Sequence, residues 1–211
     1  MPSGAVGRRR SDGKRTHAAI LDVATRIASI EGLEGLTLGR LAEELEVSKS
    51  GVYAHFGSRE QLQLETIAAA QEIMEREVVA PALSEPPGVR QLKALCERYL
   101  SYVERLVFPG GCFFSSLLAE MDARPGRFHE MAQAGAREWW GLFAGVAADA
   151  RERGELAADV DIDQLVFELD SSLESANYYY VLLRDPAVIA RARRAVAGII
   201  DRARAPGASR A

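Results

Sequence analysis

Apolar residues recur every three or four positions along most of the chain, which is the spacing that places side chains on one face of an α-helix. The first such series runs from Ile20 to Ile30, and comparable series continue to about residue 204. No stretch keeps the strict alternation that is typical of a half-buried strand. We therefore expect an all-α protein of about nine helices.

Proline and glycine divide this helical pattern into parts. The stretch 81 to 88, PALSEPPG, contains three prolines and a glycine, and it predicts a domain boundary. Four parts result: a basic arm (1–16) with a disordered character, an amino-terminal helical domain with a connecting helix (17–80), a carboxyl-terminal helical domain (81–205) and a frayed tail (206–211).

The segment 37 to 59, TLGRLAEELEVSKSGVYAHFGSR, has the pattern of two short helices joined by a tight turn. The hydroxyls of Thr37 and Ser48 can cap the first and the second helix. The second helix has only Val52 and Phe56 as large apolar anchors, so its outer face is short, small and rich in hydrogen-bonding groups. This combination predicts a helix-turn-helix that reads DNA.

The residues at 53 to 62, YAHFGSREQL, continue this motif in an order that resembles the Tet repressor (TetR) family of bacterial one-component regulators. The motif resemblance covers residues 14 to 65, and beyond them it rests on chain length and a helical remainder. Two positions depart from the family pattern: Glu46 stands in the turn where Gly is usual, and Arg59 replaces Lys. A left-handed Glu46 would cost roughly 1 kcal/mol relative to glycine.

The resemblance implies roles for the polar residues of the motif. Those nearest the bases of double-stranded DNA would be Lys49, Ser50 and Gly51. Positions that commonly contact phosphate in the family are Thr37, Ser48, Tyr53, His55 and Arg59. The alternative for Tyr53 and His55 is that they pack on the surface and stabilise the motif, whereas Phe56 is expected in the core.

The resemblance also implies a homodimer, in which the last two long helices of each subunit form a four-helix bundle. The apolar seams predicted for this interface consist of Val166, Leu169, Leu173, Ala176, Tyr180, Val196 and Ile199. The alternative is that each seam faces the core of its own subunit. Residues off the main seam, such as Leu165, Phe167, Tyr179 and Leu182, give the helix a second apolar face and favour the interface.

The carboxyl-terminal helices of the family enclose a pocket for a small-molecule effector. Candidate lining residues, with an apolar and aromatic character suited to a moderately hydrophobic ligand, are Phe113, Phe114, Ser116, Leu117, Glu120, Trp139, Trp140, Phe143, Asn177 and Tyr178. For any single residue, a place in the core is the competing interpretation. Asp170 and Glu174, one turn apart, are expected at a solvated edge rather than in a cation site.

The resemblance therefore implies a transcriptional repressor that leaves a palindromic operator when an unknown small hydrophobic effector binds the carboxyl-terminal domain. The alternative is an architectural DNA-binding protein without an effector. The sequence has no nucleophile and base pairing, phosphate loop or dinucleotide fingerprint, so an enzyme is not expected. No cofactor and no metal site are predicted.

Charge and composition refine this interpretation. The net charge is −4, but residues 1 to 16 contain five basic residues and one acidic residue, a net +4, which leaves −8 on the rest. A basic arm on an acidic body keeps non-specific adhesion to DNA weak. The two cysteines, Cys96 and Cys112, fit neither a metal site nor a disulfide. No apolar run is long enough to span a membrane, so a cytoplasmic protein is expected.

Overall fold

The structure, a computed structural model, describes the backbone of residues 4–205 and the side chains of residues 16–205. Its helices are α1 (Gly4–Gly35), α2 (Leu38–Glu44), α3 (Lys49–Phe56), α4 (Arg59–Met74), α5 (Ala80–Leu83), α6 (Val89–Glu104), α7 (Phe113–Met121), α8 (Arg127–Glu152), α9 (Ile162–Leu183) and α10 (Pro186–Ala203). A π-helical turn (Glu75–Val79) joins α4 to α5 into one continuous stretch. Counted so, the described residues form nine helices and no strand, which confirms the predicted fold class.

Helix α1 is longer than the sequence pattern indicates. It begins at Gly4, so the segment 4–16, predicted to be a disordered arm, is helical there. The arginines and the lysine of this segment favour helix and its three glycines do not, but each residue added to an existing helix gains a hydrogen bond without a new nucleation cost. At its other end, Gly32 has a φ of 77° and interrupts α1, as the Glu31-Gly32 pair predicts. The predicted tail, 206–211, lies outside the described residues.

The chain forms two compact units. The first consists of residues 1–73 and 108–116, and the second of residues 74–107 and 117–211. The division therefore falls at 73/74 rather than at the proline-rich stretch 81–88, because the helical backbone continues past Pro81 to Leu83. Proline and glycine in the sequence indicate where a helix ends, but the tertiary contacts of a helix determine the unit to which it belongs.

The first unit packs α1 to α4 around a core that includes Leu33, Leu36, Leu41 and Leu62, all of them fully buried. The segment 108–116 packs against α1 within this unit. Its Gly110 donates its backbone N–H to the Ser29 hydroxyl, over 3.2 Å. The close approach of two backbones at this point requires a residue without a side chain.

The second unit packs α6 against α8, α9 and α10, with Tyr99, Tyr102 and Phe143 among its largest buried side chains. The Glu155 carboxylate accepts the Val89 backbone N–H over 2.7 Å, so a negative charge caps the amino terminus of α6. Cys96 lies in the same core, where burial raises the pKa of its thiol to about 12. None of the helices in the described part of the chain has the length and apolarity needed to cross a membrane.

Candidate nucleic-acid interface

Capping interactions set the geometry of the motif formed by α2 and α3. Thr37 precedes α2, and its hydroxyl accepts the Arg40 backbone N–H over 3.0 Å. Ser48 precedes α3 and accepts the Gly51 N–H over 3.2 Å. Helix α3 ends at Phe56 and is followed by Gly57, whose φ of 71° is in the left-handed region. Both helices therefore begin after a residue whose side chain satisfies one free backbone N–H group, as the sequence predicts.

The turn between the two helices has the hydrogen bonds of a Schellman motif. The Val47 N–H donates to the Ala42 carbonyl over 3.0 Å, and the Glu46 N–H donates to the Glu43 carbonyl over 3.1 Å. Glu46 has a φ of 53°, so the left-handed conformation is present without glycine. The turn keeps its shape because the two backbone bonds and the packing of α2 and α3 offset the strain.

Replacing Glu46 with glycine is expected to stabilise the protein by about 1 kcal/mol, because glycine removes the steric cost of the left-handed conformation. Urea unfolding followed by circular dichroism measures the change. Glu43→Gly is the matched control, because Glu43 is exposed in the regular part of α2, where glycine costs about 1 kcal/mol. Equal losses of stability in both variants would contradict the strain at Glu46.

One face of α3 is buried and the other is open to solvent. Val52 and Phe56 are buried and attach the helix to its unit. Lys49, Ser50 and Gly51 are all exposed at the amino-terminal end of the helix. The structure thus brings the three predicted base-contacting residues together on one exposed turn, which is where a recognition helix meets base edges.

Tyr53 and His55 lie further along α3. The Tyr53 side chain is 57% exposed, and no other ring packs against it among the described residues. His55 is also exposed, but its ring lies 5.9 Å from that of His17 and 6.3 Å from that of Phe56, centroid to centroid. Tyr53 is therefore available for a phosphate, whereas His55 contributes to the packing of α3 on α1 as well as offering a ring N–H.

Arg59 has a structural role that the sequence does not reveal. Its guanidinium donates to the backbone carbonyls of Glu34 and Leu36, at the junction between α1 and α2. These bonds fix the start of α4 against the chain segment that precedes the motif. Arg59 therefore positions the motif, and any phosphate contact would use the donors that the two carbonyls leave unoccupied.

Three further side-chain contacts hold the motif and were missed by sequence reasoning. Arg40 of α2 pairs with Glu31 and Glu44, over 2.9 Å in each case, and these hydrogen bonds raise the pKa of its guanidinium, Glu44 more than Glu31. His17 of α1 lies 2.6 Å from a Glu65 carboxylate oxygen of α4. Only the pair Arg40 and Glu44 has a sequence signal, the helical i, i+4 spacing.

The predicted dimer seam lies mostly inside its own subunit. Six of its seven residues are buried in the second unit, namely Val166, Leu169, Leu173, Ala176, Val196 and Ile199. The Tyr180 hydroxyl donates to the Glu104 carbonyl of the same unit. Burial of these six side chains favours the alternative in which the seam faces the core of its own subunit, because an apolar seam at helical spacing packs on whichever helix is nearest. That these residues form the interface stays a prediction.

A different face of α9 is open instead. Four large side chains near its carboxyl end are exposed: Tyr178, Tyr179, Leu182 and Leu183. Next to them a groove of about 520 Å³ lies between α9 and α10. Its lining consists of small and apolar residues and one arginine: Ser171, Ser172, Ser175, Ala176, Tyr179, Leu183, Val188, Arg191, Ala192 and Ala195. We call the four exposed residues and this groove the α9–α10 face.

The candidate effector-pocket residues are divided between the two units. Phe113, Phe114 and Ser116 belong to the first unit, and the remaining seven belong to the second. Of those seven, Leu117, Phe143 and Asn177 are buried, whereas Tyr178 is exposed on α9. None of the ten lines the groove of the α9–α10 face.

The acidic pair on α9 differs from its predicted environment. Asp170 is half-buried and accepts the indole N–H groups of Trp139 and Trp140. Glu174 is half-buried and accepts the Tyr99 hydroxyl over 2.9 Å. The expectation of a solvated edge is therefore wrong, because aromatic donors on α6 and α8 reach both carboxylates.

Fold and motif together define a helix-turn-helix regulator with a separate helical domain. The family model for bacterial regulatory proteins of the tetR family matches residues 20–66, and that for the tetracyclin repressor-like C-terminal domain matches residues 88–196. The chain belongs to the TetR family, as the sequence motif indicates. No curated protein matches it by sequence.

Solved structures of other regulators share this fold. A TetR transcriptional regulator from Chloroflexus aurantiacus J-10-FL is 24% identical, with a TM-score of 0.82 over 90% of this chain and 96% of that chain. A putative transcriptional regulator from Saccharomonospora viridis in complex with choline is 18% identical, with a TM-score of 0.71 over 89% and 96%. AibR in complex with isovaleryl coenzyme A and operator DNA is 19% identical, with a TM-score of 0.65 over 90% and 98%.

Proposed function

We propose that this DNA-binding regulator is a repressor that binds a palindromic operator as a homodimer and leaves it when a small molecule occupies the carboxyl-terminal domain. The observation that most supports the proposal is the exposed amino-terminal turn of α3 in a capped helix-turn-helix. Its Lys49, Ser50 and Gly51 stand free of the core.

Base recognition would fall to this turn. The Lys49 ammonium is long and flexible enough to reach the guanine acceptors of the major groove, and Ser50 can donate or accept at any base. Gly51 lets the backbone come close to the groove wall. The three residues therefore supply one strong and several adaptable contacts, which suits recognition of a few base pairs in each half-site.

Phosphate contacts would surround the turn. The Thr37 hydroxyl oxygen accepts a backbone N–H group, so its own hydrogen remains to be donated to a phosphate oxygen. The Ser48 hydroxyl accepts the Gly51 N–H and shares a hydrogen bond with the Ser50 hydroxyl over 3.1 Å, so one of the two serine hydrogens remains for phosphate. Tyr53 and His55 offer an O–H and a ring N–H from the exposed side of α3, and Arg59 offers its remaining N–H groups. Such contacts fix the orientation of the motif without specifying a base.

A dimer and an effector complete the proposal. One recognition helix reads too few base pairs for strong specificity, so two copies on a palindrome are expected, and the α9–α10 face is the surface we assign to their contact. AibR was solved with both isovaleryl coenzyme A and operator DNA, and the Saccharomonospora viridis regulator with choline. These complexes support the proposal that the same fold responds to a ligand here.

Two substitutions test the division of roles. Purified protein first selects its preferred duplex from genomic fragments, and fluorescence anisotropy then measures binding to this duplex and to its single-base variants. Tyr53→Phe is expected to weaken binding to every duplex by a similar factor, about fivefold for one hydrogen bond. Lys49→Ala is expected to weaken binding about tenfold or more and to relax preference at one base position.

Arg98→Ala is the matched control, because Arg98 is exposed on α6 and its loss changes the net charge as Lys49→Ala does. It should leave both affinity and base preference unchanged. Sequence-selective loss in Tyr53→Phe, or an unchanged base preference in Lys49→Ala, would refute the assigned roles. Selection of many unrelated fragments instead of a few palindromic ones would favour an architectural DNA-binding protein.

A further inference from the structure

The only two tryptophans of the chain are neighbours on α8, and both are bound to one carboxylate of α9. Trp139 Nε1 donates to Asp170 Oδ1 over 3.0 Å, and Trp140 Nε1 donates to Asp170 Oδ2 over 2.9 Å. The carboxylate is thereby held in one orientation, with each of its oxygens on a separate indole.

The hydrogen-bond partners of Asp170 are uncharged. Both indole N–H groups are neutral donors, and within the described part of the chain no lysine, arginine or histidine forms an ion pair with Asp170. A half-buried carboxylate of this kind attracts a cation more strongly than one in water, because the surrounding rings lower the local dielectric.

The neighbouring aromatic rings form a corner. Trp140 is 44% exposed and Phe167, one turn before Asp170 on α9, is 53% exposed. Their ring centroids lie 6.3 Å apart and the planes meet at 81°. Two exposed rings in edge-to-face contact beside a carboxylate offer π surface and negative charge close together, which is the chemistry that recognises alkylammonium ions.

We propose that Trp140, Phe167 and Asp170 form a binding site for an organic ammonium cation. A neutral ligand would gain nothing from the Asp170 charge, and an anion would be repelled by it. A bare divalent metal would need several oxygen ligands, and no group of three potential metal ligands exists among the described residues. That this cation is the effector rests on the proposed function, whereas its binding does not.

Tryptophan fluorescence tests the site directly, because every tryptophan of the chain contacts Asp170. The full-length protein is titrated with tetramethylammonium chloride at constant ionic strength, with sodium chloride replacing it in the reference. A saturable change in emission is expected. The neutral molecule tert-butanol, of similar size, is expected to bind at least about tenfold more weakly, because it lacks the charge that both the carboxylate and the rings attract.

Three variants assign the effect to the corner. Asp170→Asn keeps the size and an acceptor oxygen but removes the charge, and it should weaken tetramethylammonium binding about tenfold or more. Phe167→Leu removes one ring and should weaken it about threefold. Glu152→Gln removes an exposed charge at the far end of α8, twelve positions after Trp140, and it should bind as the native protein does. Circular dichroism confirms that each variant is folded.

Several results would overturn the proposal: no response to tetramethylammonium, equal responses to the cation and to tert-butanol, or native affinity in both Asp170→Asn and Phe167→Leu. Emission that changes on dilution of the protein, without a response to the cation, would show that a second copy covers the corner and would overturn it too. If Asp170→Asn does not fold, Phe167→Leu and Trp140→Phe decide. DNA binding is measured separately. A protein that binds DNA but no cation would overturn the cation site and leave the proposed function standing.

Discussion

Replacement of Gly110 with alanine is expected to destabilise the protein by about 3 kcal/mol, near the upper end of the range for overpacked sites. A Cβ at this position would lie 1.8 Å from the Ser29 carbonyl oxygen and 2.4 Å from its carbonyl carbon. Both atoms belong to the backbone of α1, which cannot move aside as a flexible side chain can. Either α1 shifts or the segment 108–116 leaves its place in the first unit.

Thermal unfolding measures this loss, and a decrease of roughly 6–12 °C in the midpoint corresponds to it for a chain of this length. Gly141→Ala is the matched control, since a Cβ there meets nothing within 4 Å on an exposed position of α8. Alanine should stabilise that helix by about 0.5–1 kcal/mol. A Gly110→Ala protein with the same unfolding midpoint as the native protein would show that the two backbones are not in close contact.

This contact illustrates what the sequence can and cannot predict. The helices, their caps at Thr37 and Ser48 and the strained turn at Glu46 follow from spacing and side-chain chemistry within a few residues. Ser29 and Gly110 are separated by 81 positions, and no local pattern relates them. The stretch Pro109-Gly110-Gly111 predicts a helix end, but it carries no signal that the backbone of another helix lies against Gly110.

The two faces of α9 show a second limit. Periodicity correctly predicts that Leu169 and Leu173 are buried, but it does not distinguish the core of a subunit from an interface between subunits. The same ambiguity applies to Asp170, whose spacing from Glu174 suggests repulsion at a surface. Its environment is decided by Trp139 and Trp140 on α8, which precede it by 31 and 30 positions along the chain. Sequence therefore predicts the local geometry of α2 and α3 better than it predicts the environment of the residues of α9.

Substitution of Tyr179 with glutamate is expected to convert the proposed dimer to a monomer at micromolar concentration. Tyr179 is 50% exposed and lines the groove between α9 and α10, so the subunit itself should fold without it. In a dimer built on the α9–α10 face, the new carboxylate would be buried without a partner. A cost of about 3 kcal/mol or more for such a charge corresponds to at least about a hundredfold weaker association.

Sedimentation velocity measures the association, and anisotropy on the selected palindrome measures its consequence for DNA. A monomer contacts one half-site at a time, so affinity for the palindrome should fall to that for a single half-site. Leu83→Glu adds the same charge at an exposed apolar position of α5 and should remain a dimer. A Tyr179→Glu protein that stays dimeric would exclude the α9–α10 face as the interface. A Tyr179→Glu protein that becomes monomeric but keeps the native affinity for the palindrome would instead refute simultaneous reading of two half-sites. In that case the open face of α9 would have no part in how the two copies of α3 reach DNA.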